Sequence, residues 1–74
     1  MKSLQVRFGA AVRRLRLEAG FSQEDFAYQS GIARSYMGLL ERGKVNPTLA
    51  TAEKIASSLK LTVGELMSEV DEEK

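Results

Sequence analysis

The stretch from Ser22 to Arg42 constrains the rest of the chain more than any other. It reads SQEDFAYQSGIARSYMGLLER. Ser22 with Asp25 three residues later is a helix-start signal close to a capping box. Phe26 and Ala27 give the helix that follows a small apolar face. Gly31 can adopt a positive φ at little cost, which suits an abrupt corner after a helix. Beyond the corner, Ala33, Met37 and Leu40 recur at spacings of four and three, one face of a second helix. The stretch therefore encodes two short rods joined at a glycine corner, with one side of the second rod left for something other than the core.

The remaining segments read as helices that complete a small body around this corner. A first helix is predicted from Leu4 to Glu18, with Phe8, Ala11, Val12 and Leu15 at helical spacing, and Ala19-Gly20 ends it. The second helix starts after Ser22 and ends near Gln29. The third runs from Ala33 to Arg42 and stops at Gly43. Residues 43–47 form a loop in which Pro47 keeps Asn46 out of a helical conformation. Thr48 caps a fourth helix whose apolar face is Leu49, Ala52, Ile55, Ala56 and Leu59. Thr62 with Glu65 forms a capping box that opens a fifth, carrying Val63, Leu66, Met67 and Val70. Asp71 to Lys74 are expected to fray. The reading is an all-α, compact five-helix fold without strands, one domain over residues 1–74, with a helix-turn-helix at about 22–42.

Composition removes most catalytic readings. The 74 residues include neither Cys nor His. That takes away disulfides, thiolate chemistry, the commonest general base and the commonest metal ligand. Ser, Lys and scattered acids remain, with no nucleophile–base arrangement among them. No enzyme activity, metal or cofactor is expected. No apolar run approaches the ~20 residues that span a bilayer. The N-terminus has no secretory apolar segment, so a cytoplasmic protein without membrane contact is expected. Net charge is +1, unevenly spread. Lys2, Arg7, Arg13, Arg14 and Arg16 face only Glu18 in the first twenty residues, whereas the last ten carry five acids against Lys74. The acidic end reads as a solubilising tail.

Two charges sit where apolar residues belong. Arg16 follows Phe8 and Val12 at intervals of four, on the core side of the first helix. Glu41 follows Ala33 and Met37 likewise on the third. Charged side chains are rarely buried unless paired. A largely buried Arg16–Glu41 salt bridge is therefore predicted, in preference to both groups reaching out to solvent.

The outward side of the third helix carries Ser35, Gly38, Leu39 and Arg42, flanked by Arg34 and Tyr36. Arg bonds guanine O6 and N7 in a bidentate manner, Ser bonds several base edges, and an apolar side chain meets a thymine methyl. Arg34, Ser35, Tyr36 and Leu39 are the expected base contacts. Tyr36 can equally pack at the helix edge. Gly38 costs about 1 kcal/mol in a helix relative to Ala, which close approach of a DNA strand would justify. Gln23, at a helix N-terminus that favours anions, joins Gly38, Arg42, Lys44 and Asn46 as expected phosphate contacts, which set register rather than sequence. Arg13 and Arg14 either extend this basic surface or form a solvated helix face.

These residues resemble a known family. Leu15-Arg16, Gly20, Ser22-Gln23-Glu24, Ala27, Gly31-Ile32, Arg34-Ser35-Tyr36-Met37, Leu40-Glu41-Arg42-Gly43 and Asn46-Pro47 are similar to the Cro/C1-type (XRE) helix-turn-helix regulators, over roughly Phe8 to Met67. Residues 23–30 followed by Arg34-Ser35-Tyr36 resemble restriction-modification controller proteins. The resemblance implies a lambda-repressor-like DNA-binding domain and a homodimer on a palindromic operator. It implies base contacts from Arg34, Ser35 and Tyr36, phosphate contacts from Gln23 and Arg42, and dimerisation through the last helix. Where such controllers often carry a basic loop residue, this chain has Val45, and Lys44 is the available substitute. Dimer contacts are expected from Leu61, Val63, Leu66, Met67 and Val70, in a dimerisation helix at about 62–70. The expected function is sequence-specific, DNA-binding transcription regulation; an activator would in addition touch RNA polymerase. The alternative is an antitoxin-type protein-interaction module whose DNA binding is secondary.

Overall fold

The computed structural model describes residues 2–73, which form five helices: α1 (Leu4–Glu18), α2 (Gln23–Ser30), α3 (Arg34–Glu41), α4 (Leu49–Ser58) and α5 (Val63–Asp71). No strand occurs among these residues. The starts follow from side-chain caps. Ser3, Ser22, Thr48 and Thr62 each accept a hydrogen bond from the backbone N–H three residues on. At α5 the box is complete, since Glu65 Oε1 also accepts from the Thr62 N–H at 2.8 Å. Between α2 and α3 the backbone reverses at Gly31, which has φ 66°. A left-handed residue there lets the Ile32 N–H reach back to the Ala27 carbonyl at 2.9 Å and closes the helix end.

The apolar stripes converge on one core. Phe26, Met37, Leu40, Ile55, Leu66, Val12 and Val70 are its largest fully enclosed side chains, and Phe8, Ala11, Ala27, Ala52 and Ala56 fill the remainder. All five helices thus contribute. Leu49, expected on the core face of α4, is instead 83% exposed. It is the first residue of its helix and stands at the rim of a hollow that Leu4, Phe8, Ala52 and Met67 also line. The end that was expected to fray carries two ordered features. Asp71 belongs to α5, and the Glu73 carboxylate accepts from Arg14 Nε at 3.1 Å; Lys74 lies outside the described residues.

α1 and α3 cross in close contact at Gly9. A β-carbon there would run into the Leu40 carbonyl oxygen and stand 2.8 Å from that of Glu41. The obstacle is backbone, which cannot swing aside, so the crossing depends on the missing side chain. Gly9→Ala should therefore lower stability by about 1–3 kcal/mol through overpacking, against the small gain in helix propensity. A thermal melt at or above that of the parent would show that the two helices separate freely.

The predicted ion pair locks the same crossing. Arg16 Nε and Nη2 donate to the two Glu41 carboxylate oxygens at 2.7 and 2.9 Å, in a fork that satisfies both. Nη1 donates to the Phe21 carbonyl at 2.9 Å. Both side chains are buried. The hydrogen bonds that Arg16 donates to Glu41 raise the Arg16 pKa, and desolvation opposes them only in part. Three elements (α1, the turn before α2, and α3) are thereby tied by one guanidinium.

Candidate nucleic-acid interface

The corner at Gly31 turns α3 so that Met37, Leu40 and Glu41 face inward, while Arg34 and Ser35 are exposed and Leu39 is 38% exposed. Ala33 precedes the helix without a side-chain cap, so the first N–H groups of α3 have no internal partner from that side. The N-terminus of α2 lies alongside. Together the two helices form an open groove lined by Gln23, Arg34, Ser35, Gly38, Leu39 and Arg42. All six were expected at a DNA surface from the sequence, and the fold brings them onto one face.

Gly38 is the buried floor of this groove. A β-carbon on it would lie 3.5 Å from Arg42 Nη1 and from Gln23 Oε1, ordinary van der Waals distances. The protein's own packing therefore does not require glycine here. Gly38→Ala should leave the fold intact or raise its stability by up to about 1 kcal/mol, while weakening DNA binding because the floor rises toward the duplex. A melt paired with a binding titration checks this; unchanged affinity would remove Gly38 from the interface.

Gln23 has a second role that sequence spacing did not reveal. Its Nε2 donates to Glu41 Oε1 at 3.2 Å, the oxygen that also accepts from Arg16 Nη2. The buried ion pair thus holds a side chain of the groove wall. Eighteen residues separate Gln23 from Glu41, and no periodic signal links them. Among the described residues, no salt bridge engages Arg34 or Arg42, so both cations keep their donors for an outside partner.

The other expected residues divide. Tyr36 is half-buried and packs against the core, outside the groove lining. Its position matches the packing alternative. Lys44 is exposed in the loop after α3, its N–H bonded to the Leu39 carbonyl at 2.9 Å. Asn46 is also exposed but borders a different hollow. Arg13 is exposed. Arg14 does not extend the basic surface: it donates to Glu69 and Glu73 at 3.0 and 3.1 Å and reaches Glu18 at 3.4 Å. These carboxylates, Glu69 first, raise its pKa, and they give part of the acidic end a structural task. Leu66 and Val70, expected at a dimer contact, have 0% exposure. They are consumed by the protomer's own core and offer no surface to a partner. Leu61, Val63 and Met67 are partly exposed beside them.

Among the described residues there is no cluster of acidic side chains able to hold a metal ion. No helix among these residues is long and apolar enough to cross a membrane.

Known proteins place this arrangement. The chain is 39% identical over 74 residues to control protein C.MunI of a Mycoplasma species, spanning 99% of this chain and all of that protein. It superimposes on the restriction-modification controller protein C.AhdI from Aeromonas hydrophila with a TM-score of 0.80 and 44% identity, over 84% of this chain and 94% of that one. The wild-type controller protein C.Esp1396I matches with a TM-score of 0.86 and 28% identity, over 97% and 92% of the two chains. The family profile described as helix-turn-helix matches residues 12–66, from the middle of α1 into α5. Since that span holds the glycine corner, the groove and most of the core beneath it, the chain belongs to the helix-turn-helix family of XRE-type DNA-binding transcriptional regulators.

Proposed function

We propose that the protein is a homodimeric controller of transcription that binds a palindromic operator, of the kind that regulates a restriction-modification locus. The observation that carries this reading is the groove. Two arginines without ion pairs among the described residues, a serine and a half-exposed leucine share one face around a glycine floor. Arg34 and Ser35, in the first turn of α3, supply base-edge hydrogen bonds, and Leu39 supplies the apolar contact for a thymine methyl. Tyr36 flanks them and steadies the helix from its inner side. Arg42, Lys44, Asn46 and the α2 start at Gln23 supply phosphate contacts that fix register. Two copies related by a two-fold axis read two half-sites about one DNA turn, ~34 Å, apart.

The test is a search for an inverted repeat in the DNA directly upstream of the reading frame, followed by titration of that duplex against a scrambled one. Equal affinity for both would end this reading. Salt gives an independent check. Each neutralised phosphate contributes about −0.9 to the slope of log K against log salt. Lys44→Ala should therefore reduce the slope by about that amount per half-site and leave the ratio between operator and scrambled duplex unchanged.

A further inference from the structure

Of the residues that line the groove, Gln23 is the one whose side chain has a hydrogen-bond partner among the described residues. Its Nε2 donates to Glu41 Oε1 at 3.2 Å. Glu41 cannot swing aside, because Arg16 holds both carboxylate oxygens at 2.7 and 2.9 Å in a buried fork. A carboxylate only accepts, whereas an amide offers a donating nitrogen and an accepting oxygen. Glu41 therefore selects the nitrogen end and turns the oxygen end to the groove. Gln23 Oε1 lies 3.5 Å from the place a Gly38 β-carbon would occupy, and Arg42 Nη1 is equally close to that place. The amide oxygen thus stands over the glycine floor, and no donor among the described residues bonds it.

An oxygen aimed outward is the wrong end for a phosphate, which also only accepts. Phosphate contact at the start of α2 falls instead to backbone N–H groups, of which Ser22 caps that of Asp25 and leaves those of Gln23 and Glu24. The amide oxygen requires a donor. In the major groove the donors are adenine N6 and cytosine N4, while guanine and thymine present only acceptors and the thymine methyl. Nε2 carries a second hydrogen beyond the one given to Glu41. An acceptor with a donor beside it matches adenine, whose N6 donates and whose N7 accepts.

We propose that Gln23 reads an adenine in each half-site, Oε1 accepting from N6 and the second Nε2 hydrogen donating to N7, with the buried Arg16–Glu41 pair setting which end of the amide meets the base. This rests on the DNA-binding reading above and adds to it a specificity residue from outside α3. A bidentate contact of this kind discriminates among bases by roughly 5- to 100-fold. Gln23→Met, which keeps the length and removes both polar atoms, should therefore relax the preference for adenine at one position per half-site by that factor and leave the other positions as they are.

Selection from a duplex library randomised across the site, run with the full chain and with Gln23→Met, measures this. Circular dichroism confirms that the variant is helical. The selected duplex is then titrated beside a copy in which that adenine is replaced by 2′-deoxynebularine, which lacks only the 6-amino group. The parent should lose affinity for the copy at least about fivefold, and Gln23→Met should bind both alike. Arg16→Met with Glu41→Leu should relax the same position, and a preference kept there in full overturns the orienting role of the pair. A Gln23→Met that weakens every duplex equally, or that relaxes a position where the parent prefers another base, overturns the adenine contact and leaves the DNA-binding reading standing. A parent that selects no preferred sequence overturns both. If Gln23→Met does not fold, the parent alone is titrated with each adenine replaced in turn, and affinities all within twofold overturn the contact.

Discussion

Glu41→Ala is expected to lower the unfolding free energy by about 3–5 kcal/mol. Arg16 would be left buried, with only the Phe21 carbonyl to receive its five donors. Small domains have about 5–15 kcal/mol of stability in total, and one this size buries only ~60% of its unfolded surface. A loss of that order removes about a fifth or more of what holds the fold. At about 4–8 °C per kcal/mol, the melting temperature should fall by tens of degrees. An unchanged melt would mean that the pair is solvated in solution. Replacing both partners by apolar residues of similar volume is the informative control. Exchange of a whole buried pair is often neutral or stabilising, because the desolvation cost of both charges disappears.

The same substitution reaches the DNA groove. Gln23 Nε2 loses its acceptor when the Glu41 carboxylate goes, so its amide is free to rotate. The apolar double variant that restores stability should therefore still bind operator less well than the parent. That divergence between stability and affinity separates a role for Glu41 in positioning Gln23 from its role in the core.

The second large effect is on recognition. Arg34→Ala together with Ser35→Ala should abolish the preference for operator over scrambled duplex while leaving the melt within about 0.5 kcal/mol of the parent. Both positions are exposed, and neither side chain has a hydrogen-bond partner among the described residues. Each good bidentate base contact is worth about 1–3 kcal/mol of discrimination. A dimer loses each contact twice, so Arg34 alone accounts for about 2–6 kcal/mol. Residual affinity should resemble non-specific binding, with its steep salt dependence retained, because Arg42 and Lys44 still meet phosphate. A double variant that keeps its preferred duplex would move the reading surface elsewhere on the molecule.

The caps, the glycine corner and the core stripes were legible in the chain because each is a property of residues three or four apart. Ser22 caps its helix whatever packs above it, and Gly31 permits the corner whatever follows. The Arg16–Glu41 pair was legible for a related reason. A charge on an apolar stripe needs a partner, and only one opposite charge lay on a facing stripe. The groove residues could be named because the side of α3 opposite Met37 and Leu40 had to point outward. Sequence alone therefore determined which faces turn in and which turn out.

Tertiary structure decided what covers each edge of those faces. Periodicity marks a stripe but not how far a neighbouring helix extends along it. Leu49 sits at the helix start and escapes cover, whereas Leu66 and Val70 lie under α1 and are spent on the protomer's core. Gly9 has no special conformation to betray it; its importance appears only where α1 meets the end of α3. The Gln23–Glu41 bond and the clamp of Arg14 on Glu69 and Glu73 join residues 18, 55 and 59 positions apart. Such links are set by the rotation and crossing of whole helices, which local spacing does not encode.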